Sequence, residues 1–115
     1  MYELTTQALF EERWFWKDGE RPEGVRETDG AFIIYFTASW CKPCKNLDLH
    51  RIEETCKIVG LPFWKCDYVI NDYTSGYCNV KSFPTFLLVK PKKIVNVFNS
   101  NETEQVLMWL LTLKD

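Results

Sequence analysis

The sequence FIIYFTASWCKPCKNLDL, residues 32–49, decides the fold of this chain. It opens with an apolar run of β-branched and aromatic residues, so residues 31–37 are predicted to form a strand buried on both faces. A tryptophan and two cysteines, Cys41 and Cys44, follow within a few residues. Apolar residues then recur at helical spacing. Two thiols therefore stand where a buried strand gives way to a helix, and Tyr35 lies inside the apolar strand.

The rest of the chain alternates predicted helices with predicted strands. The helix after the cysteines starts near Lys42 and ends at Gly60, and Thr5 or Thr6 caps a first helix. The short link KPKK between the last two strands predicts an antiparallel hairpin. This order predicts a three-layer α/β domain with the sheet in the middle, and no strand is placed in residues 1–30. The remaining predicted elements are a first helix over 7–16, strands over 62–70, 85–90 and 93–98, a polar connection with room for a short helix over 71–80, and a last helix over 101–113 capped by Asn101.

Size and charge limit the possible functions. The 115 residues are enough for one domain, residues 1–115. The formal net charge of −2 gives no electrostatic case for nucleic acid or an anionic membrane as the main partner. The N-terminus lacks the pattern of a signal peptide, and no apolar run approaches the ~18 residues of a spanning helix. We therefore expect a monomeric cytoplasmic protein that binds neither nucleic acid nor membrane.

Charge is distributed unevenly between the two parts of the chain. Residues 1–30 carry eight acidic and four basic side chains, whereas residues 31–115 carry eight acidic and ten basic ones. One interpretation is a chance difference between solvated faces. The other is that a variant acidic N-terminal segment, residues 1–30, modifies access to a mildly basic core, residues 31–115.

The spacing of the two cysteines predicts redox chemistry. One helical turn brings the Cα atoms of residues i and i+3 within the ~4.4–6.8 Å that a disulfide allows. Unpaired N–H groups and the helix dipole favour thiolate at the first position, where a cysteine pKa falls from ~8.5 to ~3.5–7.5. Lys42 and Lys45 add positive charge, and Pro43 suits a first helical turn. Cys41 is therefore the candidate nucleophile, and Cys44 the thiol that resolves the mixed disulfide.

A zinc site is the alternative use of such a pair. Tetrahedral zinc needs four ligands, and the sequence offers no second Cys-x-x-Cys and a single histidine, His50. His50 is interpreted as a solvated helix residue, and Cys56 and Cys66 as small core residues. We expect neither a metal nor an organic cofactor, because a Cys41–Cys44 disulfide would itself be the redox group.

Two motifs together resemble the thioredoxin family: TASWCKPCK and VKSFPTF, with 39 residues between Cys44 and the proline of the second motif. The family places Trp-Cys-x-x-Cys after a buried strand and later an apolar residue, a cis-proline and a threonine, which Phe83, Pro84 and Thr85 match. The resemblance covers roughly residues 31–115. It implies a thioredoxin fold and a thiol-disulfide oxidoreductase that acts on disulfide-containing proteins and is restored by a reductase or dithiol. Roles in electron transport and cell redox homeostasis follow from the same resemblance.

The resemblance also implies roles for individual residues. Cys41 attacks and Cys44 resolves, while Trp40 covers the disulfide on its solvent side. Pro84, in cis, packs against the pair, and the backbone beside it holds an extended substrate. Lys65 falls at the position of a family lysine on the next strand.

Cys78 lies in a context where some animal thioredoxins carry an accessory cysteine. It is either a regulatory or dimer-forming thiol, or simply a half-buried residue. Ser100 stands near a substrate-facing glycine of the family, where it would narrow or polarise the docking groove.

The chain departs from the family most clearly at Tyr35, where the family keeps a buried aspartate for proton transfer with the resolving cysteine. A phenol with an ordinary pKa of ~10 is a poor base at neutral pH. Either Tyr35 only packs in the core, or resolution by Cys44 is slowed and Lys65 needs another acceptor. The same departure favours an alternative function, a thioredoxin-fold binding module with little redox turnover.

A second departure is Lys42, which replaces a family glycine between the cysteines. A cation that stabilises the Cys41 thiolate favours the reduced form, so we predict a redox potential less negative than the ~−270 mV of thioredoxin.

Overall fold

Strands and helices alternate along the residues that the structure describes, 1–16 and 19–114, in a computed structural model. The strands are β1 Tyr2–Glu3, β2 Phe32–Thr37, β3 Phe63–Asp67, β4 Thr85–Lys90 and β5 Lys93–Asn99. The helices are α1 Gln7–Trp14, α2 Leu49–Val59, α3 Asp72–Tyr77 and α4 Thr103–Thr112, and a 3₁₀ turn spans Pro43–Asn46. None of these helices has the length and apolar character needed to cross a membrane.

The five strands form one mixed sheet in the order β1-β3-β2-β4-β5. β3 runs parallel to both β1 and β2, whereas β4 runs antiparallel to β2 and to β5. Because β2 has a neighbour on each side and helices on both faces, all six of its residues are buried, as its continuous apolar run predicts. The predicted three-layer α/β arrangement and the hairpin of β4 and β5 are confirmed.

Alternation along β2 divides the core into two clusters. Ile33 and Tyr35 point to the face covered by α2 and α4, where Ile52 and Leu110 join them. The other face is covered by α1 and α3, and Phe32, Ile34 and Phe36 pack there.

The N-terminal segment is anchored on Trp64, a contact that the sequence did not predict. Tyr2 stacks on its ring at 4.6 Å, and the guanidinium of Arg13 lies 4.4 Å from the ring centroid. The indole N–H donates to the carbonyl of Gly24 at 2.8 Å. Gly24 has φ +81°, and a Cβ at this position would stand 2.4 Å from the indole ring, so only glycine fits. β1 was missed because two residues carry no pattern, and its partner strand lies some sixty residues away in the chain.

The predicted continuous helix from Lys42 to Gly60 is wrong in its first part. The 3₁₀ turn ends at Leu47, whose backbone is extended with φ −81° and ψ 135°. Asp48 then caps α2 by accepting a hydrogen bond from the N–H of Arg51 at 3.2 Å. This cap gives the chain a new helix start that periodicity alone does not indicate. The predicted end is confirmed, because Gly60 is a left-handed cap with φ 77°.

Two further boundaries differ from prediction. The strand predicted over 62–70 ends at Asp67, because its carboxylate accepts from the N–H of Val69 at 2.9 Å and closes a turn. Asn101 does not cap the last helix; the cap position is Glu102, whose N–H donates to Ser100 Oγ at 3.1 Å. The short helix allowed in the polar connection is present as α3.

Candidate active site

Three chain segments meet at one end of the sheet. The cysteines follow the carboxyl end of β2, and Tyr68 follows the carboxyl end of the parallel strand β3. Residues 82–84 precede β4, whose antiparallel direction brings its amino end to the same place, with Thr85 paired to Phe36. Carboxyl ends of parallel strands are where α/β sheets commonly bind ligands.

The two cysteines form a disulfide in which their Cα atoms are 5.4 Å apart. Both are buried, with 3% of Cys41 and 6% of Cys44 exposed. The backbone N–H of Cys44 donates to Cys41 Sγ at 3.2 Å. Because α2 begins only at Leu49, its dipole does not act at Cys41 as the sequence suggested. The amide of Cys44 in the 3₁₀ turn is the group that favours negative charge on this sulfur.

The turn before β4 lies against the disulfide. The Phe83–Pro84 peptide bond is cis, as the resemblance implies, and Pro84 is buried. The Thr85 hydroxyl donates to the carbonyl of Ser82 at 2.6 Å and so closes the turn. Phe83 packs on the small cluster that contains both cysteines.

An aromatic group stands beside the disulfide, formed by Trp40, Tyr68 and Phe83. Trp40 meets Phe83 edge-on at 5.6 Å and Tyr68 at 6.3 Å, and the rings of Tyr68 and Phe83 are 5.5 Å apart. Phe83 is the ring that packs on the cysteine cluster, while Trp40 stands further out with 62% of its surface exposed. Tyr68 was missed because the strand was predicted to run to residue 70, whereas it ends at Asp67 and leaves Tyr68 directly after it.

Two pockets border the cysteines from different sides. The outer pocket, about 450 Å³, lies between Trp40 and Phe83 and is flanked by Lys42. The inner pocket, about 460 Å³, lies behind the disulfide, toward the sheet. Cys41 lines both pockets, whereas Cys44 lines the inner one. The remaining lining of the outer pocket is Pro43, Lys81 and Ser82.

Tyr35 fills the position of the family aspartate as a packed aromatic residue. Its ring stacks on Phe86 at 5.0 Å and on Phe63 at 6.2 Å, and 2% of its surface is exposed. Burial raises the pKa of the phenol, partly offset by a hydrogen bond with Thr37. The phenol is therefore neutral at physiological pH and cannot act as a base. Lys65, its register partner on β3, is half-buried at the wall of the inner pocket.

The free cysteines lie in the interior of the domain. Cys56, Cys66 and Cys78 are buried, and burial raises the pKa of each thiol to about 12. This confirms the prediction for the first two. Cys78 is buried and not half-buried as predicted, and its burial counts against a regulatory or dimer-forming thiol.

Two other residues singled out in the sequence, Ser100 and His50, do not line either pocket. The Ser100 hydroxyl donates to Gln105 Oε1 at 2.6 Å, so it serves the start of α4. His50 is exposed on α2. Within residues 1–16 and 19–114 no three histidine, cysteine or acidic side chains are grouped to hold a metal ion.

A mixed α/β sheet that carries a Cys-x-x-Cys disulfide beside a cis-proline defines a class, the thiol-disulfide exchange proteins of thioredoxin fold. The family model for thioredoxin matches residues 16–112. This chain belongs to the thioredoxin family. The match begins 15 residues before the part of the sequence that carries the resemblance, so it includes much of the acidic segment.

Individual relatives agree with this assignment. The chain is 33% identical over 77 residues to a thioredoxin H-type of Ricinus communis, covering 67% of this chain and 65% of that protein. It is 31% identical over 80 residues to the mitochondrial thioredoxin-3 of Saccharomyces cerevisiae, covering 69% and 62%. The chain thus spans just under two thirds of the length of these two relatives. The X-ray structure of Fasciola hepatica thioredoxin matches all of both chains with a TM-score of 0.71 and 25% identity. Family and cysteine pair together support protein-disulfide oxidoreductase activity.

Proposed function

We propose that this chain reduces or exchanges disulfides of protein substrates through Cys41 and Cys44. One observation carries the assignment of roles: Cys41 borders the outer pocket, while Cys44 borders the inner pocket. A substrate disulfide that approaches from the outer pocket therefore meets Cys41 first. The amide N–H aimed at its sulfur supports Cys41 as the nucleophile.

The reaction follows as two exchanges. The Cys41 thiolate attacks one sulfur of the substrate disulfide, the other sulfur leaves as a thiolate, and a mixed disulfide forms. Cys44 then loses its proton and attacks Cys41 Sγ, which closes the Cys41–Cys44 disulfide and releases the second substrate thiol. Two electrons pass from the cysteine pair to the substrate, and a reductase or cellular dithiol returns them.

The outer pocket suits an extended substrate segment. Trp40 and Phe83 offer apolar ring surface, and Lys42 and Lys81 add positive charge at the rim. Ser82 also lines this pocket, and its carbonyl accepts a hydrogen bond from the Thr85 hydroxyl. We therefore propose a substrate with an apolar side chain near its cysteine and acidic residues on the flank.

An insulin-reduction assay with dithiothreitol tests the proposal. The wild type should accelerate insulin precipitation, Cys41→Ser should give the uncatalysed rate, and Cys44→Ser should accumulate a mixed disulfide with the substrate. Equal rates for wild type and Cys41→Ser would leave the alternative, a thioredoxin-fold binding module, which the replacement of the family aspartate by Tyr35 favours.

Compartment, oligomeric state and domain limits remain predictions. The relatives above include an H-type plant protein and a mitochondrial one, so the cytoplasm is proposed from the sequence alone. A monomer of one domain, residues 1–115, is proposed on the same basis and is testable by sedimentation.

A further inference from the structure

The resolving step needs a proton acceptor that this chain does not hold where its family does. Cys44 must lose a proton before it attacks the mixed disulfide, because the thiolate and not the thiol is the nucleophile. Tyr35 occupies the family position as a buried neutral phenol between two aromatic rings. Another group must therefore take the proton. Cys44 faces a candidate proton acceptor in the inner pocket.

One carboxylate, that of Asp67, lies among the described residues that line the inner pocket. Asp67 is the last residue of β3, and its register partner on β2 is Thr37. Tyr35 and Lys65 form the next pair on the same face, two residues earlier on each strand. The sheet thus places the Asp67 carboxylate beyond the phenol, toward the end that carries the disulfide.

A backbone hydrogen bond orients this carboxylate. Its Oδ1 accepts a hydrogen bond from the N–H of Val69 at 2.9 Å, in the turn that ends the strand. Its negative charge also contributes to the raised pKa of Tyr35, which places it within electrostatic reach of the phenol. The pocket of about 460 Å³ has room for a chain of several waters at about 30 Å³ each between the carboxylate and the thiol.

Three other titratable groups face the pocket. Lys65 comes from β3 and Lys45 from the 3₁₀ turn, while Tyr35 from β2 stays neutral. Two ammonium groups opposite one carboxylate leave the pocket with a positive charge, which also stabilises a thiolate on Cys44.

We propose that Asp67 is the proton acceptor for Cys44 and acts through water in the inner pocket. The inference rests on the proposed disulfide exchange and names the base of its second step. The Cys44 proton passes to the carboxylate as the thiolate attacks Cys41 Sγ. The Cys41–substrate bond breaks, and the released substrate thiolate takes up a proton from the carboxylic acid or from solvent.

Two-phase reduction of 5,5′-dithiobis(2-nitrobenzoate) tests this assignment. With one equivalent of the reduced protein, the first nitrothiolate released reports attack by Cys41, and the second reports resolution by Cys44. Asp67→Asn should slow the second phase by tenfold or more near neutral pH and leave the first unchanged. The difference should close as the pH is raised, because hydroxide then deprotonates Cys44 directly. Asp67→Glu should restore much of the second phase.

A matched carboxylate-to-amide change serves as the control. Glu54→Gln removes a charge on the exposed side of α2, next to Lys57, and should leave both phases as in the wild type. Thermal unfolding of each variant shows whether it is folded, and Asp67→Ser replaces Asp67→Asn if the latter is not.

A second phase in Asp67→Asn equal to that of the wild type would overturn the inference, and so would equal slowing in Asp67→Asn and Glu54→Gln. Failure of the proposed function looks different, because insulin reduction would then be equally fast in the wild type and in Cys41→Ser, whatever the two phases of nitrothiolate release show.

Discussion

The two faces of β3 have opposite characters. On one face Trp64 is 3% exposed, with Tyr2 stacked on its ring and Arg13 over it. On the other face Lys65 and Asp67 border an open pocket that reaches the cysteine pair. β3 thus separates the closely packed contacts of the N-terminal segment from an open pocket that is lined by two lysines and one aspartate.

The difference shows that side chains that stabilise the fold and side chains that serve the reaction lie on opposite faces of β3. Close packing stabilises the fold but leaves no room for water or substrate. On the pocket side of the strand the side chains are not closely packed. Solvent can therefore reach Lys65 and Asp67, and these groups can exchange protons. Substitutions on the Trp64 face should therefore change the free energy of unfolding, and substitutions on the Asp67 face should change a rate.

The largest expected effect is on stability, from Trp64→Ala. The substitution removes a buried ring that contacts Tyr2, Arg13 and Gly24, so it should lower the free energy of unfolding by about 3–5 kcal/mol. Urea unfolding followed by circular dichroism measures this change. Trp40→Ala is the matched control, because 62% of Trp40 is exposed and its loss should leave the unfolding midpoint nearly unchanged. Equal destabilisation by the two variants would contradict the contrast between the faces.

Tyr35→Asp should change both quantities in opposite directions. A carboxylate among Phe63, Phe86 and other core side chains destabilises the fold, and its pKa rises through desolvation. It also restores a base on the side of Cys44, so resolution should become about tenfold faster, at the low end of general-base effects. The second phase of nitrothiolate release measures this rate. Tyr35→Phe removes the hydroxyl alone and should leave the rate as it is. A rate in Tyr35→Asp at or below that of the wild type would show that resolution is not limited by proton transfer.

Asp29 anchors the loop before β2 by charge instead of by ring packing. Its carboxylate accepts from Arg26 at 2.9 and 2.7 Å and lies 3.3 Å from the ammonium of Lys90. These contacts, with Arg26 foremost, hold the pKa of Asp29 well below its ordinary value of 3.8. A depressed folded-state pKa contributes stability that is present above this ordinary value and is lost as the pH falls further.

Asp29→Asn should therefore lower the free energy of unfolding by about 1 kcal/mol at pH 7, a modest figure because the pair is partly solvated. The difference from the wild type should vanish in acid, which urea titrations over a range of pH can follow. Glu27→Gln removes an acid with an 80% exposed side chain and should have no measurable effect. A difference that persists unchanged at low pH would rule out the electrostatic explanation.

The sequence predicted the parts of the site that are local motifs. The buried strand, the cysteine pair and the Phe83–Pro84 turn each need a few adjacent residues, and each lies where it was expected. The start of α2 was not predictable from apolar spacing, since it depends on the side chain of Asp48.

The contacts of Trp64 and Asp67 were not predictable either, because they join segments far apart in the chain. The Gly24 carbonyl accepts a hydrogen bond from the indole of Trp64, which lies 40 residues later in the chain. The pocket that gives Asp67 its proposed role exists only once β2 and β3 are aligned.

The smallest expected effect concerns Lys42, which is exposed at the rim of the outer pocket next to Cys41. An exposed cation stabilises a nearby thiolate by about 0.2–1 kcal/mol, and 30 mV corresponds to about 1.4 kcal/mol for a dithiol. Lys42→Gln should therefore make the redox potential more negative by at most about 20 mV, starting from a wild-type value above about −270 mV. Equilibration with glutathione buffers measures both values. Lys57→Gln, at the far end of α2, should not shift the potential. Added salt should reduce the shift caused by Lys42→Gln, because exposed charges are screened within about 10 Å at 0.1 M salt. A wild-type potential at or below about −270 mV would show that Lys42 does not make the redox potential less negative than that of thioredoxin.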